Sequence, residues 1–220
     1  MGDMKRTPLY DWHVAQKACM VEFAGWEMPV YYPTGAVKEH ELCRASAGLF
    51  DIDHMGQFLV FGAAAGNWLS GQISRSVTDM PLGDARYALL LNEAGGVIDD
   101  LFIYRLDETS WFVVVNAGNR QADWEWLKPR LPGDASVQLR DLSDEYAMIA
   151  LQGPAAIRLL ETCGWVEDGP LSPKEHHGQS SFAQLRRFSM GRAVLFGTPC
   201  LVGRTGYTGE DGVEIFCPTP

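Results

Sequence analysis

Between the glycine pair Gly95-Gly96 and Arg105 the chain reads Val97-Ile98-Asp99-Asp100-Leu101-Phe102-Ile103-Tyr104, apolar throughout except for two adjacent carboxylates. The turn Glu93-Ala94-Gly95-Gly96 marks a hairpin, and the segment from Val97 to Tyr104 has the length and composition of a strand. Successive strand side chains point to opposite faces. One of Asp99 and Asp100 therefore shares a face with Ile98, Phe102 and Tyr104, and the other with Val97, Leu101 and Ile103. Neither face reads as solvent-facing. A carboxylate in such company must be hydrogen-bonded, paired or raised in pKa, and in a cleft it is a candidate functional group. Turn-end aspartates capping backbone N–H groups would explain the same pair.

With 220 residues, 46% of them hydrophobic, the chain can build one large domain or two small ones. Its longest apolar runs, Tyr87 to Leu91 and Trp111 to Val115, are strand-sized and far short of the roughly 20 residues of a membrane helix. The first residues, Met1 to Pro8, resemble neither a secretory signal nor a transit peptide, so a soluble, cytoplasmic protein is expected. A net charge of -10, with no basic cluster beyond Arg186-Arg187, speaks against nucleic acid as a partner. Five widely spaced cysteines without a C-x-x-C read as reduced, mostly buried thiols. The histidines make no metal pattern either, with His176-His177 in a polar stretch, and no metal site is expected.

Along the chain, residues 7–33 are rich in aromatics but broken by Gly25, Pro29 and Pro33, and predict irregular structure. A helix over 36–45 capped by Thr34, a strand over 57–61 and a helix across 63–72 come next. The Gly62-x-x-x-Gly66 spacing in the last suits close helix packing. Strands at 87–92, 97–105 and 111–116 suggest an antiparallel sheet, followed by a helix from Asn119 to about Leu131 and strands at 137–140 and 146–151. Gln152-Gly153-Pro154 opens a helix to Cys163 at a turn whose N–H groups could cup an anion. Residues 165–181 read as a surface connection, followed by strands at 184–188, 193–196 and 200–204. A turn with three glycines, Thr205-Gly206-Tyr207-Thr208-Gly209-Glu210-Asp211-Gly212, then leads into a strand carrying Glu214. The pattern is α+β, with antiparallel and mixed sheets and flanking helices. Two regions are expected, 1–140 with the Asp-Asp strand and 141–220 with the glycine turn. The chain stops at Pro220 directly after a strand, which suggests a fragment of a longer protein.

Eight segments in order resemble the aminomethyltransferase (T-protein) of the glycine cleavage system. They are Thr7-Pro8-Leu9-Tyr10, Phe23 to Val30, Gly48-Leu49-Phe50-Asp51, His54-Met55, Leu91 to Leu101, Val115-Asn116-Ala117, Leu151-Gln152-Gly153-Pro154 and Arg204 to Ile215. The resemblance implies transfer of an aminomethyl group from the lipoyl arm of the carrier H-protein to tetrahydrofolate, giving methylenetetrahydrofolate and ammonia. It implies Asp100 as catalytic acid, with Asp99 facing away, and Glu214 as the carboxylate gripping the pterin. Met55, Leu91, Asn116 and Tyr207 would line the folate site, although ordinary packing would account for Met55 and Leu91.

Two departures stand out. Asp53 replaces the serine usual before His-Met, with a turn-forming role expected for it. The family also continues into a C-terminal barrel domain whose folate-holding arginine is missing here. The alternatives are a folate-dependent demethylase or the folate domain of a dimethylglycine or sarcosine oxidising enzyme, which would meet no H-protein. A non-catalytic folate-binding protein would be a third reading, but the Lys-Gly-Cys-Tyr-x-Gly-Gln motif of such relatives is missing.

Overall fold

The computed structural model describes residues 4–167 and 179–219, and within them the chain is α+β with three sheets and short helices. Five antiparallel strands lie side by side in the order Ala85–Leu91, Val97–Arg105, Ser110–Val115, Gly56–Phe61, Gln138–Asp141. A second sheet orders seven strands as Gln179–Ser180, Gly164–Glu167, Met190–Leu195, Thr198–Gly203, Gly212–Pro218, Tyr146–Gln152 and Gly48–Asp51. The third joins Lys5–Arg6, Trp26–Tyr31 and Cys19–Phe23. No closed barrel forms among the described residues.

The two large sheets pack face to face. Tyr104, Phe112 and Val114 of the first meet Met148, Met190 and Phe216 of the second, with the Phe112 and Phe216 rings edge to face at 5.0 Å. Burying each such side chain contributes about 1.5 to 3 kcal/mol. The outer face of the five-stranded sheet, with Leu101, Ile103 and Val113, lies under the helices Ala65–Gln72 and Arg120–Leu127. The outer face of the seven-stranded sheet, with Val202, Val213 and Ile215, is covered by the helix Ala156–Leu160 and the turn Phe182–Gln184. The order helix, sheet, sheet, helix explains why Val97–Arg105, its two aspartates apart, and Ser110–Val115 read as largely apolar runs. Over most of their length both faces are covered.

The close helix packing expected at Gly66 is present, since a Cβ there would come within 2.7 Å of the Trp111 ring. Elsewhere local signals were overridden. Residues 7–33 are regular, forming the helix Tyr10–Ala15 and a hairpin turned at Ala24-Gly25, both in the left-handed region. Thr34 does not cap the helix Ala36–Ala45; Gly35 precedes it, and the Thr34 hydroxyl leans on Glu39 instead. The strand expected at 184–188 is a 3-10 turn and loop, because the Arg204 guanidinium holds the carbonyls of Ala183 and Leu185. Gly164–Glu167 and Gln179–Ser180 are strands rather than parts of an irregular connection, and residues 168–178, with His176-His177, lie outside the described residues. At Gln152-Gly153-Pro154 the N–H groups of Gly153 and Ala155 are spent on the carbonyls of Asp211 and Ser46, so no anion cup is left there.

Candidate functional site

In the Val97–Arg105 strand, Leu90 pairs with Asp99 and Leu91 with Val97, so Ile98 is an extra, bulged residue. The bulge turns Ile98 toward the cluster of Leu101 and Ile103, away from the face of Asp100 that simple alternation assigns it. Beyond it the two-residue period resumes. Asp99 is buried under the helix Arg120–Leu127, while Asp100, exposed, shares its face with Phe102 and Tyr104.

On that face the layer between the two sheets opens into a cleft of about 400 Å³. Ile52, Met55, Phe102, Val114 and Met148 form its apolar walls; Asp100, Asn116, Tyr207, Glu214 and Tyr87 bring polar groups to it. Leu91 is not among the lining residues. It stands four positions along the strand from Tyr87, on the same face by the two-residue period but toward the hairpin end.

Asn116 links both aspartates. Its Nδ2 donates to Asp99 Oδ1 at 2.9 Å and reaches the Asp100 Oδ1 at 3.0 Å, and its backbone N–H donates to Asp99 Oδ2 at 2.9 Å. Asn119, rather than capping its helix, turns its Nδ2 onto Asp99 Oδ1 at 2.6 Å. Across the cleft, Thr205 Oγ1 donates to Glu214 Oε2 at 2.6 Å and the Tyr104 hydroxyl to the same oxygen at 3.1 Å. Glu214 Oε1 receives no donor among the described residues. Desolvation raises the Glu214 carboxyl above its ordinary range, opposed by these two bonds. Gly203 makes the arrangement possible, because a Cβ there would lie 2.8 Å from the Tyr104 hydroxyl. Tyr207 stands fully in solvent at the rim, 99% exposed.

Sequence reasoning missed Tyr87, Tyr104, Thr205 and His54. Tyr87 is raised in pKa, by desolvation first and then by the neighbouring Asp100. His54 lines both this cleft and a second cavity, lies edge-on to Phe23 at 5.5 Å, and is lowered by burial, which favours its neutral form. His54 and Thr205 fall within segments that resemble the family, whereas Tyr87 and Tyr104 carry no signal beyond their places in apolar strands.

Asp53 is a correction. The turn-forming side chain is Asp51, whose Oδ1 accepts the Asp53 N–H at 3.0 Å, whereas Asp53 reaches behind the cleft wall to accept the Met148 N–H at 2.8 Å. Burial pushes Asp53 up from 3.8 to about 6. Because the folded value lies above the unfolded one, stability falls as pH rises from about 4 to about 6 and stays lowered above that. Asp53→Asn keeps the acceptor for Met148 and removes the charge. Calorimetry should show a gain of about 1 to 2 kcal/mol at pH 7.5, less than the roughly 3 kcal/mol of a two-unit shift because of solvent screening, and no gain at pH 4. An equal change at both pH values would contradict this.

An α+β pair of sheets enclosing an apolar cleft with two carboxylates at its mouth describes the class of the domain. The chain belongs to the GCVT N-terminal domain family, whose profile matches residues 9–220. It is 41% identical over 215 residues to an aminomethyltransferase of Prosthecochloris aestuarii, covering 98% of this chain and 55% of that protein. A Symbiobacterium thermophilum aminomethyltransferase is 43% identical over 217 residues, covering 97% and 54%. The crystal structure of glycine cleavage system aminomethyltransferase T from Bartonella henselae superposes with a TM-score of 0.82 at 37% identity, covering 98% of this chain and 54% of that one. A heterotetrameric sarcosine oxidase from Corynebacterium shares the fold, with a TM-score of 0.59 at 16% identity over 97% of this chain and 87% of that chain. The chain spans about half the length of the curated relatives it matches.

Proposed function

We propose that this chain carries the folate-binding and catalytic groups of a cytoplasmic aminomethyltransferase of glycine cleavage, which moves an aminomethyl group from the lipoyl arm of H-protein to tetrahydrofolate. Carrying the reading is one observation: Asp100 and Glu214, from different sheets, present carboxylates into a single apolar-walled cleft. The residues fit a folate. Glu214 Oε1 is an open acceptor for an N–H-rich pterin edge, Met55 and Met148 supply apolar walls, and Tyr207 supplies a ring face. Leu91 would meet only the part of a ligand that reaches past Tyr87. Residues 1–140 contribute Asp100 and Asn116, and 141–220 contribute Tyr207 and Glu214, so neither region holds the site alone.

Bound folate would supply a nucleophilic amine, and the residues of this chain act around it. Asp100, steadied by Asn116 Nδ2, places negative charge beside the carbon that becomes electron-poor during transfer, and its carboxylate can accept and return the amine proton. Calorimetric titration with tetrahydrofolate, on a chain of the relatives' full length, should give saturable binding. Binding of a nicotinamide or phosphate ligand in its place would overturn the reading. Saturable dependence of turnover on lipoylated H-protein separates it from a demethylase, which needs none.

A further inference from the structure

Asp123, in the helix Arg120–Leu127, is completely buried, and neither of its carboxyl oxygens meets a hydrogen-bond donor among the described residues. An ionised carboxylate in that state would cost several kcal/mol. Its neighbour is Asp99, whose carboxylate is also buried and already accepts three N–H bonds, two from Asn116 and one from Asn119. A carboxylate offers about four acceptor positions, so Asp99 has one left. Two buried carboxylates in contact cannot both be ionised, and an Asp123 that keeps its proton becomes the missing donor.

We propose that Asp123 is a protonated positioning residue, donating its O–H to Asp99 and thereby fixing Asn116 as the clamp that sets Asp100 in the cleft. The chain of contacts is continuous: Asp123 to Asp99, Asp99 to Asn116, Asn116 Nδ2 to Asp100. Burial, reinforced by Asp99, raises Asp123 from 3.8 to about 8, in keeping with this assignment. The charged group facing it from the adjoining strand is Asp99; on its own helix the Arg120 guanidinium is turned away to Asp141 and Asp144. The protonation stands apart from the folate reading, whereas its consequence for Asp100 rests on that reading.

The experiment compares wild type with Asp123→Asn, a permanent neutral donor of the same shape, and Asp123→Ala, which has none. Infrared difference spectra of the ligand-free protein at pH 7 should show the carbonyl band of a protonated carboxylic acid that Asp123→Asn loses. In thermal melts, wild type should lose Tm as pH rises from about 4 to about 8, because the folded protein holds a proton that the unfolded chain releases. Asp123→Asn should lose that part of the slope. In a chain of the relatives' full length, Asp123→Ala should lower kcat about tenfold, and Asp123→Asn should restore it to within about threefold of wild type, the scale of one lost neutral hydrogen bond. An unchanged acid band in Asp123→Asn overturns the protonation, whatever ligand the cleft takes. An acid band that disappears without rescue of kcat by asparagine overturns the positioning role.

Discussion

In a chain of the relatives' full length, Asp100→Asn should lower turnover in single-turnover assays with lipoylated H-protein by at least about a hundredfold, roughly 2.7 kcal/mol of transition-state stabilisation. Asparagine keeps the size of the side chain, so folate affinity should change far less. Asp99→Asn is the contrasting case. Its carboxylate accepts three buried N–H bonds, and an amide in its place would turn a second donor toward Asn116 and Asn119. The expected result is a loss of about 1 to 3 kcal/mol in stability, with turnover in the molecules that remain folded lowered by about tenfold through the loosened Asn116, well short of the loss in Asp100→Asn. A dead Asp99→Asn beside an active Asp100→Asn would reverse the assignment of the two aspartates.

That Asp99 and Asp100 point to opposite faces was readable from strand periodicity, since neighbouring side chains on a regular strand alternate; which of them faces the cleft was not. The bulge at Ile98 was not readable. It depends on how Leu90 and Leu91 register against the hairpin, a contact between two strands rather than a property of either. Long elements with clear punctuation, such as the helix Ala36–Ala45 stopped near Gly48, were legible to the residue. The hairpin Cys19–Tyr31 was not, because its two breakers resemble loop chemistry, yet Gly25 only supplies the turn and Pro29 is tolerated within the strand.

The site shows the same division. Glu214 and Tyr207 entered the candidate site through the resemblance of the segment Arg204 to Ile215, and both line the cleft. Tyr104 and Thr205 looked like core and turn, since their role is to donate to Glu214, a pairing that for Tyr104 spans 110 residues of sequence. Asp123 was still less visible. In a helix carrying Trp124, Glu125 and Trp126, one more acidic residue reads as part of a solvated face until the packing against Asp99 is known.

Glu214→Gln should weaken tetrahydrofolate binding by about ten- to a hundredfold, the roughly 1.5 to 3 kcal/mol of a charge-assisted hydrogen bond. The fold should tolerate the change. The carbonyl oxygen of the new amide can take the place of Oε2 and keep both hydroxyl donors, Thr205 at 2.6 Å and Tyr104 at 3.1 Å. The amide nitrogen must then occupy the position of Oε1, where it points a donor at the N–H-rich edge of a pterin. Repulsion is thereby added to the lost charge. The pH dependence gives a second, independent reading. Desolvation raises the wild-type carboxyl, so affinity should decline on acidification at a higher pH than an ordinary glutamate would give, and the glutamine variant should show no such decline. Titration calorimetry at two pH values measures both effects. An unchanged dissociation constant would remove Glu214 from the site, and a weakened but equally pH-dependent one would assign the titration to another group.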